Sequence, residues 1–266
     1  MDLRRLSLPV PEGNHDKPPT PGAVVRRQVL RLALPATAEQ LLGMMIGIVD
    51  TFLVGHLGAA SLAAVGLANQ WVFLAHTLLG AIGTGSTALI ARFTGAGERD
   101  LANSVLRQSL LVAILVGLSA TALGTLLARP AVVLLGAPPE VEGLSTTYLT
   151  TVAATLAFAT LLYLGNACLR GAGDTRTPLY VMAVVNVVNI VVAWTLINGL
   201  FGLPRLGVWG SALGAASGQV VGGSIVLGLL LRGKSGIRLR LAGLRPDWNM
   251  IRRILRVGMP TGVEQL

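Results

Sequence analysis

An aspartate in the middle of an apolar run is the residue of this chain best suited to chemistry. Asp50 stands in GIVDTFLVGHLG, and Glu39 precedes it by eleven residues in the same run. Of the twelve acidic residues, these two alone fall within the apolar stretches that precede residue 232. A carboxylate at mid-bilayer costs about 2.5–3.5 kcal/mol on insertion scales, so an acid there is a functional hypothesis by default. Burial penalises the charged form, which suits proton exchange unless a bound cation keeps the group ionised. Eleven residues are close to three helical turns, so both acids project from one helix face. Asp50 lies deeper. Glu39, nearer the end of the run, suits a structural or snorkelling role as well as a cavity-lining one. Pro35 removes a backbone donor fifteen residues before Asp50 and marks a place for the helix to bend.

Farther along, VVNVVNIVVAW sets Asn186 and Asn189 three residues apart on one helical face. Buried amides need partners. This pair would either line an ion or substrate cavity or bind neighbouring backbone. Other patterns carry no chemistry. Gly171-Ala172-Gly173-Asp174 follows an apolar helix, with neither the preceding strand nor the following G-K-[ST] of a phosphate loop. His15, His56 and His76 are scattered without metal-ligand spacing, and the single Cys168 excludes an intrachain disulfide and a cysteine metal cage. No Ser/His/Asp or Cys/His set is apparent, so the chain reads as no enzyme, with no cofactor and no metal.

The elements that must position these residues are membrane helices. Hydrophobic residues make up 53% of the 266 and charged residues 12%, against roughly a quarter charged in soluble domains. Apolar stretches run over about 29–54, 61–91, 101–128, 144–169, 178–199 and 207–231. Each is long enough to cross about 30 Å of hydrocarbon as a helix. The net charge of +9 points to topology, not to nucleic acid. With an inner N-terminus, Arg26, Arg27, Arg31, Arg92, Arg99, Arg107, Arg170, Arg176 and the arginines after Leu231 fall inside, leaving only Arg129 and Arg205 outside. That asymmetry is the positive-inside pattern and sets the orientation.

The chain also begins twice. RQVLRLALPATAEQL (residues 27–41) and RRILRVGMPTGVEQL (residues 252–266) share seven of fifteen residues in register, among them Pro35/Pro260 and Glu39/Glu264. Six spans separate the copies, so both units enter the membrane from the same side, as parallel repeats. The expected organisation is a disordered cytoplasmic tail over 1–25, a six-span unit over 26–231, a basic linker over 232–250 and the truncated start of a second unit over 251–266. Gly210, Gly214, Gly218 and Gly222 form a smooth ridge on the last span, read as static tight packing or as a sliding surface for lobe motion.

With LALPATAEQLLGMMIGIVDTFLVGHLG, ALIARFTGAGERD, LRGAGDTRTP and VNVVNIV in hand, the chain resembles the multidrug and toxic compound extrusion family, particularly its bacterial DinF-like branch. The resemblance runs from about Val25 to Leu266. It implies an all-α integral membrane fold, in which this chain is the six-helix N-lobe of a twelve-helix, two-lobe antiporter, plus the start of helix 7. It implies export of organic, often cationic, compounds against protons or sodium from the bacterial inner membrane, with membrane lipid and the missing C-terminal lobe as partners. Asp50 then matches the acid that binds the coupling cation, Asn189 an amide of that site, and Pro35 the proline at which the helix bends. Where many members carry a second acid, this chain has Ala193, which favours a proton over sodium. The competing readings are a lipid-linked oligosaccharide flippase, disfavoured by the absence of a central Lys or Arg in the spans, and a non-transporting fragment.

Overall fold

The computed structural model describes residues 21–233, 235–239 and 245–264. Its elements are α1 (Pro21–Gly55), α2 (Ala59–Gly95), α3 (Arg99–Leu126), α4 (Ala128–Leu134), α5 (Pro139–Ala153), α6 (Leu156–Gly171), α7 (Arg176–Asn198), α8 (Val208–Arg232) and α9 (Trp248–Glu264), with a single 3₁₀ turn at Leu200–Gly202. Among the described residues five helices, α1, α2, α3, α7 and α8, are long and apolar enough to cross a membrane, and the bent pair α5–α6 passes the same test when counted as one broken span, which gives up to six. The chain is therefore a multi-pass membrane protein.

The fourth span departs from the unbroken helix expected over 144–169. It breaks at Ala154–Thr155, where the two halves bend by 54°. Hydrocarbon tolerates such a break only where protein groups take over the freed backbone polar atoms. Here Thr155 Oγ1 donates to Val152 O at 3.0 Å and to Gln219 Oε1 of α8 at 2.7 Å. The Ala157 N–H donates to Thr121 Oγ1 of α3 at 3.2 Å. Gly117 and Gly124 let α3 come close, since an added Cβ would stand 2.8 Å from Ala157 Cα and Ala153 Cβ respectively. α4 is a short helix between the third span and α5 that hydropathy did not separate.

The glycine ridge packs inside this lobe. A Cβ at Gly214 would stand 2.6 Å from Ala193 Cβ, and one at Gly210 2.9 Å from Ile197 N, both on α7. Gly222 meets Val185 and Leu162. Static tight packing is the role the contacts give it, and the sliding-surface reading falls away.

Helix boundaries differ from the expected domains at both ends. Residues 21–25 belong to α1 and are helical, not part of a disordered tail. Residues 1–20 lie outside the described residues. α9 starts at Trp248, three residues before the expected unit boundary, because Asp247 Oδ1 accepts the N–H groups of Asn249 and Met250 at 3.0 and 3.2 Å. α9 lies against α2 so closely that a Cβ on Gly258 would overlap Ala81 O. The side chain of Glu264, with Gln265 and Leu266, lies outside the described residues, so the acid half of the repeat is not described.

Asp174, set aside as a phosphate-loop remnant, caps α7. Its Oδ1 accepts the Thr177 N–H at 3.0 Å, and its Oδ2 accepts the Thr177 and Ser235 hydroxyls. Burial pushes this carboxyl upward, but the hydrogen bonds from Ser235 and Thr177 outweigh it and hold it below the usual carboxylate range. A depressed folded pKa contributes stability above the unfolded value, about 3.9, that is lost as pH falls through the folded one. Asp174→Ala is expected to cost about 1 kcal/mol, read as a lower unfolding temperature at neutral pH and a smaller difference from wild type below about pH 3.

Candidate functional site

Asp50 is 2% exposed, on the inner face of α1. Three side chains from three other helices converge on it. Asn189 Nδ2 of α7 donates to Oδ1 at 3.3 Å, Ser211 Oγ of α8 donates to Oδ1 at 3.4 Å, and Tyr148 Oη of α5 donates to Oδ2 at 3.4 Å. All three are longer than ordinary hydrogen bonds, which cluster near 2.7–3.0 Å. The carboxyl is enclosed and meets three donors, yet is gripped by none of them tightly. Asn189 Oδ1 is buried with no hydrogen-bond partner among the described residues. With the amide turned over, that oxygen would accept from a protonated carboxyl, so one residue can serve both states of Asp50.

Local packing explains why these groups meet. The absence of side chains at Gly210 and Gly214 brings α8 onto α7, and a Cβ at Gly214 would stand 2.9 Å from Asn189 O. Ser211, in the same turn of α8, is thereby carried to the carboxylate. Leu53, Val54, Val65, Tyr148, Ala193 and Ala212 belong to one apolar cluster around this level of the lobe. Ala193 is fully buried in it, so the position at which the family resemblance implied a second acid in other members is filled here by packing.

Sequence reasoning placed Asp50 and Asn189 together, and they are together. It missed Tyr148 and Ser211. Asn186 lies one turn from Asn189 but takes the other of the two roles open to it: its Nδ2 donates to Leu42 O of α1 at 3.0 Å and Met182 O at 2.9 Å. It ties α7 to α1 backbone. Glu39 shares the inner face of α1 with Asp50, as its spacing required, but about 16 Å away along the axis. It is 4% exposed and pairs with Arg170 Nη1 of α6 at 2.6 Å. Pro35 lies within α1, which continues through it as one helix. Among the described residues no group of three or more His, Cys, Asp or Glu is placed to hold a metal.

The fold and site together define a polytopic membrane lobe in which four helices enclose the carboxyl of Asp50. The chain belongs to the MatE family, whose sequence profile matches residues 35–195. It is 34% identical over 240 residues to a Thermotoga maritima protein named probable multidrug resistance protein NorM, covering 90% of this chain and 52% of that one. It is 30% identical to the multidrug resistance protein PmpM of Pseudomonas aeruginosa, with 89% and 50% covered. A crystal structure described as MATE in the bent conformation superposes with a TM-score of 0.83 at 26% identity, over 90% of this chain and 53% of that one. An outward-facing multidrug resistance MATE family transporter of the MOP superfamily gives 0.82, again at 26% identity, over 90% and 52%. The chain thus spans about half the length of the curated relatives it matches.

Proposed function

We propose that this chain forms one lobe of a proton-coupled exporter of organic, often cationic, compounds, working by alternating access. The observation that carries the reading is the enclosure of Asp50 by three long hydrogen bonds from α5, α7 and α8. A proton arriving from outside neutralises Asp50, removes the charge to which those three donors point, and frees the four helices to repack. Export of a cationic substrate then follows from loss of the negative charge that favoured its binding. The energetics suffice. One charge moving through 150 mV releases about 3.5 kcal/mol, and a tenfold uphill gradient costs roughly 1.4 kcal/mol. One proton per neutral substrate would sustain about two and a half decades of gradient, whereas exchange of one proton for one monovalent cation moves no net charge and draws on the pH difference alone unless a second proton is carried.

A proton is preferred to sodium because the site offers one carboxylate, and Ala193 leaves no room for a second. The opposing wall of the substrate cleft is assigned to the second unit that opens at α9. Met44, Met45, Ile48 and Phe52, exposed on the other side of α1 from Asp50, supply a soft apolar surface of the kind that adapts to varied ligands. The arginine distribution supports a cytoplasmic N-terminal end and a cytoplasmic linker between α8 and α9 in a bacterial inner membrane.

Two measurements on the two-lobe protein in liposomes test this. An imposed pH gradient is expected to drive dye export and an imposed sodium gradient to leave it at background; export that follows sodium alone overturns the proton assignment. Reporter fusions ahead of α1 and within the linker should both report the cytoplasm. Either one outside overturns the orientation.

A further inference from the structure

On the arginine-rich side of the lobe, the first two turns of α3 and the segment after α8 form an open-sided cavity of about 240 Å³ lined by Asp100, Asn103, Ser104, Arg107 and Arg238. The α3 residues recur at i, i+3, i+4 and i+7 and so form one stripe. Arg107, about 10 Å into the helix from Asp100, lines the same cavity as Asn103 and Ser104. Its Nε is buried and has no hydrogen-bond acceptor among the described residues.

The other wall is pinned in place. Arg238 N–H donates to Asn103 Oδ1 at 2.8 Å, and Arg238 Nε donates to Leu231 O at 3.3 Å. Gln108, one residue beyond Arg107, fixes the same segment farther on through Arg245 O at 3.0 Å and the Asp247 N–H at 3.1 Å. Two guanidinium groups therefore share one cavity with a single carboxylate. Planar guanidinium donors match phosphate oxygens in geometry and charge.

We propose that this cavity binds a phosphate group, from an anionic phospholipid headgroup or from a soluble phosphate, through Arg107 and Arg238 with Ser104 as a hydroxyl donor. Nothing in this site draws on Asp50 or on transport. Bound phosphate would join α3 to the segment that leads into the second unit.

The test is thermal unfolding and native mass spectrometry of the purified protein in neutral detergent. One arm adds phosphatidylglycerol in mixed micelles; the other adds sodium phosphate against sodium chloride at matched ionic strength. Phosphatidylglycerol is expected to raise the unfolding temperature and remain bound as a discrete adduct. A response to phosphatidylglycerol alone assigns the lipid source, and a response to both assigns a site for the phosphate group itself. Arg107→Gln and Ser104→Glu are each expected to weaken binding about tenfold. Ser104→Glu leaves both arginines and the Arg238 hydrogen bonds in place, so it stands as the test if Arg107→Gln folds poorly. No response from either phosphate source, or wild-type binding by Ser104→Glu, overturns the proposal.

Discussion

Asp50→Asn, introduced in the two-lobe protein, is expected to lower substrate-driven proton exchange about a hundredfold or more, the scale on which removing a positioned proton-transfer group is felt. Insertion and folding should survive, because the cage can accept an amide. The carbonyl oxygen of the introduced amide would keep the Asn189 Nδ2 and Ser211 Oγ donors that now reach Oδ1. Its N–H group would face Tyr148 Oη, which now reaches Oδ2, and a phenol accepts as readily as it donates. The variant thus removes titration and almost nothing else. Tyr148→Phe takes away one long hydrogen bond and keeps the carboxyl, so exchange should persist at a reduced rate. The readout is proton release on substrate addition in liposomes, beside the fluorescence-detected elution profile of each variant. Wild-type exchange by Asp50→Asn would reduce Asp50 to a packing residue and remove the basis of the coupling mechanism.

Why half of that cage was legible and half was not follows from how each residue announces itself. An ionisable group in hydrocarbon is expensive wherever it points, so Asp50 is visible in one dimension. Asn189 is visible for the same reason, more weakly. A tyrosine or serine costs little in an apolar helix. Tyr148 and Ser211 become site residues only through the α7–α8 glycine crossing and the placement of α5. The fourth span shows the same limit. Hydropathy integrates composition along a helix and is blind to direction, and the break at Ala154–Thr155 carries no proline or glycine to mark it. Its signal lies in Thr121 and Gln219 on other helices. Spacing served better where a local rule acted alone: Glu39 and Asp50 share a face because eleven residues make three turns. What spacing could not supply was the partner, and the partner separates the two roles.

The Glu39 partner predicts an asymmetry. Arg170→Met is expected to destabilise the protein by about 3–5 kcal/mol, the cost of stranding a buried charge, and Glu39→Gln by roughly 1–3 kcal/mol. The side chains are unequally enclosed, with 5% of Glu39 and 22% of Arg170 accessible. Without Arg170, the carboxylate is held between α1 and α6 with Oε2 already lacking a hydrogen-bond partner among the described residues. Without the Glu39 charge, the guanidinium can still draw on solvent or headgroups through its exposed part. Removing both members in Glu39→Gln/Arg170→Met leaves no unmatched charge, so the double variant should be more stable than Arg170→Met alone. Unfolding of the four proteins in one detergent measures the cycle. Additive losses would mean that the 2.6 Å contact contributes no coupling, and a smaller loss in Arg170→Met than in Glu39→Gln would reverse the order that burial demands. With the expected order, the Glu39 end of α1 is held to α6 by a charge pair, while Asp50, three turns away, is held only by long neutral donors. Protonation then acts on the looser end of the helix.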